Sequence, residues 1–205
     1  MPHPRDPESV SPVEVRQAKA ASGVLVHAPR DRAFAASTWL LAAAQDASQA
    51  QAAWRERDGI ALLRCGGLFG AVRISADLVR AAAATENTRE VDGFLAEALP
   101  GAPVFMDQYA QRYYVLVPVS TGRRPEWLAS RRPLRAEFLG RGCFLGVPRP
   151  DVTEPESTRC YWCVPMDGPG TLAVPDAVSQ LVSVGRSRLA TADGTGSIPP
   201  SAFRA

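Results

Sequence analysis

The stretch PVFMDQYAQRYYVLVPV, residues 103–119, decides the fold. Its two flanks, Pro103 to Met106 and Tyr113 to Val119, are dense in β-branched and aromatic residues, the composition of strands that bury side chains on a pleated surface. Between them, Gln108 to Arg112 is polar and of hairpin-loop length. The spacing predicts an antiparallel pair at the centre of the chain.

Working outward, further short apolar runs flank that hairpin. Upstream lie Ile60 to Leu63 and Leu68 to Ile74, with Cys65-Gly66-Gly67 as a turn between them and Arg73 interrupting the second run. Downstream lie Cys143 to Val147, ended by Pro148, and Tyr161 to Met166, beyond an arginine-rich connection. Helical signals surround the strands. Ser75 is placed to cap a helix over Ala76 to Ala84. A second runs from about Arg89 to Leu99, closed by Pro100-Gly101, and Pro175-Asp176 opens a last one over Ala177 to about Leu189. From Arg32 to Glu56 there is no Gly or Pro, and Phe34, Trp39, Leu40, Ala43, Ala47 and Trp54 recur at near-helical spacing, which predicts the longest helix. Nearer the start, Ser11-Pro12-Val13-Glu14 is a capping box for a short helix from Pro12 to about Ala20, followed by a brief strand at Val24 to His27.

Helices at intervals and strands that cluster and pair as hairpins define an α+β (mixed α/β) class: a single domain with a central mixed, mostly antiparallel sheet flanked by helices. Residues 1–10 are expected as a flexible arm, 11–189 as the globular domain and 190–205 as a disordered tail. No 20-to-50-residue repeat occurs, which excludes solenoids and propellers.

Composition narrows the function classes. The chain has 205 residues, 46% of them hydrophobic, enough for one proper core. No apolar run reaches the roughly 18 residues of a membrane span, and the opening Met-Pro-His-Pro-Arg-Asp-Pro-Glu lacks a secretory layout, so a cytoplasmic protein without a membrane partner is expected. Net charge is only +2, so an anionic partner must be met by a local patch. Of the 23 basic residues only Lys19 is a lysine; with abundant Ala, that bias fits a high-GC genome and does not mark a site.

Cys160-Tyr161-Trp162-Cys163 is the single Cys-x-x-Cys, and with Cys65 and Cys143 it offers four thiols. In a strand, however, residues three apart point to opposite faces, so zinc chelation is not expected and the thiols are read as reduced packing groups. His3 and His27 are the two histidines, and neither sits in a nucleophile-base pattern. Gly66-Gly67-Leu68-Phe69-Gly70 has no Gly-Lys-Ser/Thr after it and opens no Gly-x-Gly-x-x-Gly helix, so it reads as a turn with a close backbone approach. No motif calls for a cofactor.

Two-metal phosphoryl transfer needs carboxylates that share ions. Asp77, Asp107 and Asp167 stand singly near predicted element ends, as the acids an enzyme would have to use if they converged. The strongest local anomaly is basic. Arg123, Arg124, Arg131, Arg132, Arg135, Arg141 and Arg149 face only Glu126 and Glu137, a net +5 over 27 residues, with Trp127 among them. Arginines beside a stacking aromatic suit single-stranded nucleic acid, and the same stretch suits an acidic protein partner. A third reading is a protein-interaction or structural partner built on the Trp and Tyr content of the hairpins.

The order of Leu62 to Ser75 (LLRCGGLFGAVRIS), Gly101 to Phe105, Tyr113 to Pro118, Leu145 to Pro148 and Tyr161 to Met166 resembles streptomycete and related actinobacterial proteins, some of which are similar to the N-terminal domain of bifunctional DNA primase/polymerases. The resemblance spans about residues 34–189 and rests on apolar strands and turns. In active members an acidic pair on a sheet strand binds metals, a His-bearing strand binds nucleotide phosphate, and a third acid follows. The corresponding strand here, Leu68 to Ser75, carries Gly70 and Arg73 and no acid. The resemblance therefore implies a retained fold without the polymerising site, and a regulatory or binding role linked to DNA.

Overall fold

The computed structural model describes residues 29–128 and 135–195. The arm, the helix expected at Pro12, the strand at Val24, both histidines, Arg131, Arg132 and the last ten residues lie outside them. Two antiparallel sheets organise the described residues. Strands β2 (Gly70–Ser75), β3 (Val104–Asp107), β4 (Arg112–Val117), β5 (Ala136–Leu139) and β7 (Cys160–Val164) form the larger, in the order β5-β2-β4-β3-β7. Strands β1 (Ile60–Arg64) and β6 (Phe144–Pro148) pair with each other in the smaller.

The central hairpin forms as its composition predicts, with Asp107 opposite Arg112 at its closed end. The α+β class and single domain hold, with every strand pairing antiparallel. Four local expectations change. The run at 60–63 and the one at 68–74 do not form a hairpin: β1 goes to β6, while β2 lies between β4 and β5. The turn between them holds Gly66 at φ +90°, and a Cβ there would sit 2.5 Å from the Arg141 backbone, so the close approach expected of these glycines is real and it re-aims the chain into a second sheet.

The single helix expected over Arg32 to Glu56 is two, α1 (Pro29–Leu41) and α2 (Ala47–Ala53). Ala42 and Ala43 bond back to the carbonyls three residues earlier, Ala44 pairs with Leu63 of β1, and the Asp46 carboxylate accepts the Gln49 N–H at 3.0 Å to start α2 afresh. Strand pairing overrides the helix propensity of the alanines. The arginine-rich connection contains β5, which the sequence did not announce. The last helix, α6 (Pro175–Thr195), continues past Leu189 into residues expected as tail, because Ala190 to Asp193 hold no helix breaker.

The large sheet separates two cores. Helices α3 (Ala76–Ala83), α4 (Thr88–Ala98) and α6 cover one face, packing on Val72, Ile74, Val104, Met106, Tyr113, Val115 and Tyr161. The small sheet with α1 and α2 covers the other, on Ala71, Phe105, Leu116 and Trp162. Trp162 of the large sheet, 1% exposed, donates its indole N–H to the Arg149 carbonyl oxygen just after β6 at 3.1 Å, tying small sheet to large, and Trp54 at the end of α2 donates to the Val147 carbonyl oxygen at 2.9 Å, tying α2 to the small sheet.

Candidate anion-binding cleft

Alternation along β2 builds the site. Residues two apart share a face, so Ala71, Arg73 and Ser75 look to the side opposite Val72 and Ile74. Ala71 lies fully buried under the second layer, but the side chain of Arg73, two residues further on, is 41% exposed. Beyond the edge of that layer the sheet end opens into a cavity of about 520 Å³, lined by Arg73, Ser75, Ala76, Asp77, Arg80, Gln111, Arg112, Arg135 and Glu137. Four arginines there face two carboxylates. They converge from the continuous β2–α3 segment, the start of β4 and the residue before β5, three stretches well separated in sequence.

Each acid is already held. Arg135 meets Asp77 at 2.6 Å, and Arg73 meets Glu137 across the β2–β5 pair at 2.5 Å. Arg80 donates to the Gln111 side-chain oxygen at 2.8 Å. Arg112 donates to the Gln111 carbonyl oxygen at 3.2 Å and has no carboxylate within ion-pair range among the described residues. Partial burial pushes the Asp77 carboxyl upward. The neighbouring Ser75 hydroxyl, Arg135, the Leu78 N–H and Arg112 outweigh it and leave the pKa below the usual 3.8. Ser75, 4% exposed, sits at the first cap position of α3, but its hydroxyl has no well-aligned hydrogen bond there; the cap role expected for it is not made. Arg80 also meets Glu86 at 3.4 Å, so three of the four guanidinium groups are ion-paired and the surplus is Arg112, whose single uncompensated charge favours a phosphate or carboxylate guest.

The acids singled out as possible metal ligands are dispersed. Asp77 pairs with Arg135, Asp107 with Arg159 at 3.0 Å, and Asp167 with Arg32 at 3.5 Å. Asp107, 8% exposed, also accepts the N–H groups of Tyr109 and Ala110 at 3.0 Å, so its work is to shape the β3–β4 turn. Burial raises its pKa, and the Arg159 bond, the Ala110 N–H, the Arg159 charge and the Tyr109 N–H bring it below 3.8. Among the described residues no three His, Cys, Asp or Glu side chains gather into a metal-holding group.

The basic stretch scatters as well. Arg123 is exposed, Arg124 pairs with Asp176 of α6 at 2.6 Å, and Arg149 pairs with Asp151 and donates to the Trp54 carbonyl oxygen. Arg141 is exposed with its backbone against Gly66. Of the described arginines of this stretch, Arg135 alone lines the cleft. Trp127, expected as a stacking platform, is 8% exposed and belongs to the core beneath α6, so its ring is not available to a base. Hydrophobic burial of so large a ring outweighs any surface role at that position.

The cysteines are free thiols. Cys160 alternates with Trp162, and Cys163 packs on the opposite core beside Tyr161 and Asp92, so the two thiols look to opposite faces as their spacing requires. Burial pushes Cys160 to about 12 and Cys65 to about 11, and both stay protonated at neutral pH. The sequence reading names Asp77 as a candidate acid, Arg135 as part of the basic stretch, Ser75 as a helix cap and Arg73 as a charge inside an apolar run, without connecting them; Arg80, Gln111 and Arg112 escape it as site residues.

The chain matches no protein-family model and has no significant match among curated proteins or solved structures. No helix of the described residues is long and apolar enough to cross a membrane.

Proposed function

We propose that this chain is a non-catalytic cytoplasmic binding or regulatory protein with a degenerate primase-polymerase-like fold, which holds single-stranded nucleic acid by its phosphates in the arginine cleft. One observation carries the reading: Arg73, Arg80, Arg112 and Arg135 line the open end of the large sheet, and the two carboxylates beside them, Asp77 and Glu137, are each taken up by one of these guanidinium groups and do not stand free for a metal. Guanidinium groups repel divalent cations and fork onto phosphate oxygens. The rival reading, an enzyme using Asp77, Asp107 or Asp167, requires acids that share one ion, and each of these is committed to a different arginine.

The test is fluorescence anisotropy of a labelled single-stranded oligonucleotide over a range of salt. Binding is expected to weaken with a log-log slope of about 0.7 per phosphate neutralised, to be lost in Arg73→Ala/Arg112→Ala, and to be indifferent to magnesium. Magnesium-dependent nucleotide turnover would overturn the reading in favour of an enzyme. Binding of poly-glutamate as tight as that of the oligonucleotide would overturn it in favour of an acidic protein partner.

A further inference from the structure

We infer that Tyr109 is the base-stacking residue of this protein, so that the partner is a nucleic acid strand with unpaired bases, its phosphates in the cleft and a base on the tip of the β3–β4 turn. The inference rests on the phosphate-binding reading of the cleft and names the part of the ligand that reading leaves open.

Tyr109 is 80% exposed, the most exposed large hydrophobic side chain among the described residues. A single exposed ring is ordinary on a protein surface; what sets this one apart is the effort spent on fixing its backbone. Asp107 accepts the N–H groups of Tyr109 and Ala110. The Gln108 side chain donates to the carbonyl oxygens of Pro155 and Thr158, both at 2.7 Å, and its own N–H reaches the Arg159 carbonyl oxygen at 2.9 Å. Gln111, at φ +51°, closes the turn by donating to the Gln108 carbonyl oxygen at 2.6 Å. The Arg159 guanidinium, fixed by Asp107, lies over the Tyr109 ring at 5.7 Å from its centroid, and the side chain stays largely exposed. With the backbone of the turn fixed, a base that stacks on the ring orders little more than the ring's own torsions, which is the condition for stacking to yield affinity.

The turn also joins two concavities. Gln111 and Arg112 line the arginine cleft, while Gln108 and Tyr109 line a second one of about 470 Å³ with Arg57, Asp58, Glu156 and Arg159. Two arginines and two acids balance there, so this side offers no net charge to a phosphate and suits an uncharged, planar group. Tyr109 and Arg112 are three residues apart, at most about 11 Å between Cα atoms, so a short oligonucleotide reaches both. Aromatic stacking of this kind tolerates any base sequence and requires the base to be unpaired.

The experiment measures binding of oligo-dT and of an abasic strand of equal length to wild type, Tyr109→Ala, Tyr109→Phe and Arg73→Ala/Arg112→Ala. Tyr109→Ala is expected to weaken oligo-dT roughly 5- to 100-fold, to leave the abasic strand unchanged, and to be rescued by Tyr109→Phe. If Tyr109→Ala binds oligo-dT like wild type while the arginine variant does not, the stacking inference fails and the cleft reading stands. If Tyr109→Ala weakens both strands equally, the ring acts through the shape of the turn and the inference fails too. If wild type binds neither strand, both fall.

Discussion

Asp107 at the end of β3 and Asp92 inside α4 have opposite electrostatic fates. Asp107 has its pKa lowered by Arg159 and two backbone donors against the cost of burial. Its folded value lies below the unfolded one, so its contribution to stability is present above about pH 3.8 and is lost as pH falls through the lowered folded value. Asp92 on α4 is raised: burial dominates, opposed by the Cys163 thiol and the Tyr161 hydroxyl, which lies 3.2 Å from both carboxylate oxygens. Its effect has the other sign, favouring the fold at low pH and losing that contribution as pH rises through the raised value. Asp107→Asn is therefore expected to lower the urea midpoint at pH 7, by about 1–2 kcal/mol of stability, with the deficit shrinking below pH 3.8. Asp92→Asn is expected to raise the midpoint at pH 7, with the gain shrinking at the acid end. Urea titrations at pH 7 and pH 3 check both, and equal shifts at the two pH values would contradict the assignment.

Among the elements, the α3–α6 contact shows packing overruling propensity. Gly185 lies in the middle of α6, where Ala would be better by about 1 kcal/mol on helix propensity alone. A Cβ at that position would stand 2.4 Å from the Leu78 carbonyl oxygen, so the two helices approach as closely as they do because no side chain intervenes. Overpacking costs about 1–3 kcal/mol, and backbone on the far side of the contact cannot rotate away. Gly185→Ala is expected to lose up to about 2 kcal/mol net. Gly93 on α4 has nothing within 4 Å of its missing Cβ, and Gly93→Ala is expected to gain up to about 1 kcal/mol. Thermal melts of the two variants side by side test the argument, which requires shifts of opposite sign. Around β5 the same device appears in the sheet: Gly70, Gly122 and Gly140 all cradle the Phe138 ring, each with a would-be Cβ 2.6 Å or less from it.

For the whole molecule, the five-stranded sheet is the shared wall of both cores; Trp162 bonds the small sheet onto it, and Trp54 bonds α2 onto the small sheet. Neither layer has a core of its own once that wall is removed. Unfolding is therefore expected as one transition, with far-ultraviolet circular dichroism and tryptophan fluorescence coincident in urea. An early fluorescence change with the strand signal intact would show the second layer melting separately. Trp162→Ala is expected to cost about 3–5 kcal/mol, because it both empties a filled site and leaves the Arg149 carbonyl oxygen without its donor.

By itself the sequence determined the class and the central hairpin, since the aromatic and β-branched composition of Tyr113 to Val117 and the Pro and Gly residues that bound α4 and α6 are local properties carried by neighbouring residues. It also marked Arg73 as a charge out of place. Only the tertiary structure decided that α1 and α2 separate, that β1 leaves β2 for β6, that Trp127 belongs to the core, and that Arg135 leaves the other arginines for the cleft. Those outcomes depend on partners such as Leu63 for Ala44, Asp77 for Arg135 and Phe138 for Gly70, each brought close by folding from a distance along the chain at which periodicity and propensity carry no information. The cleft is of that kind: its charges come from three separate stretches, around residues 73–80, 112 and 135–137, and their sum exists only where the sheet end brings them together.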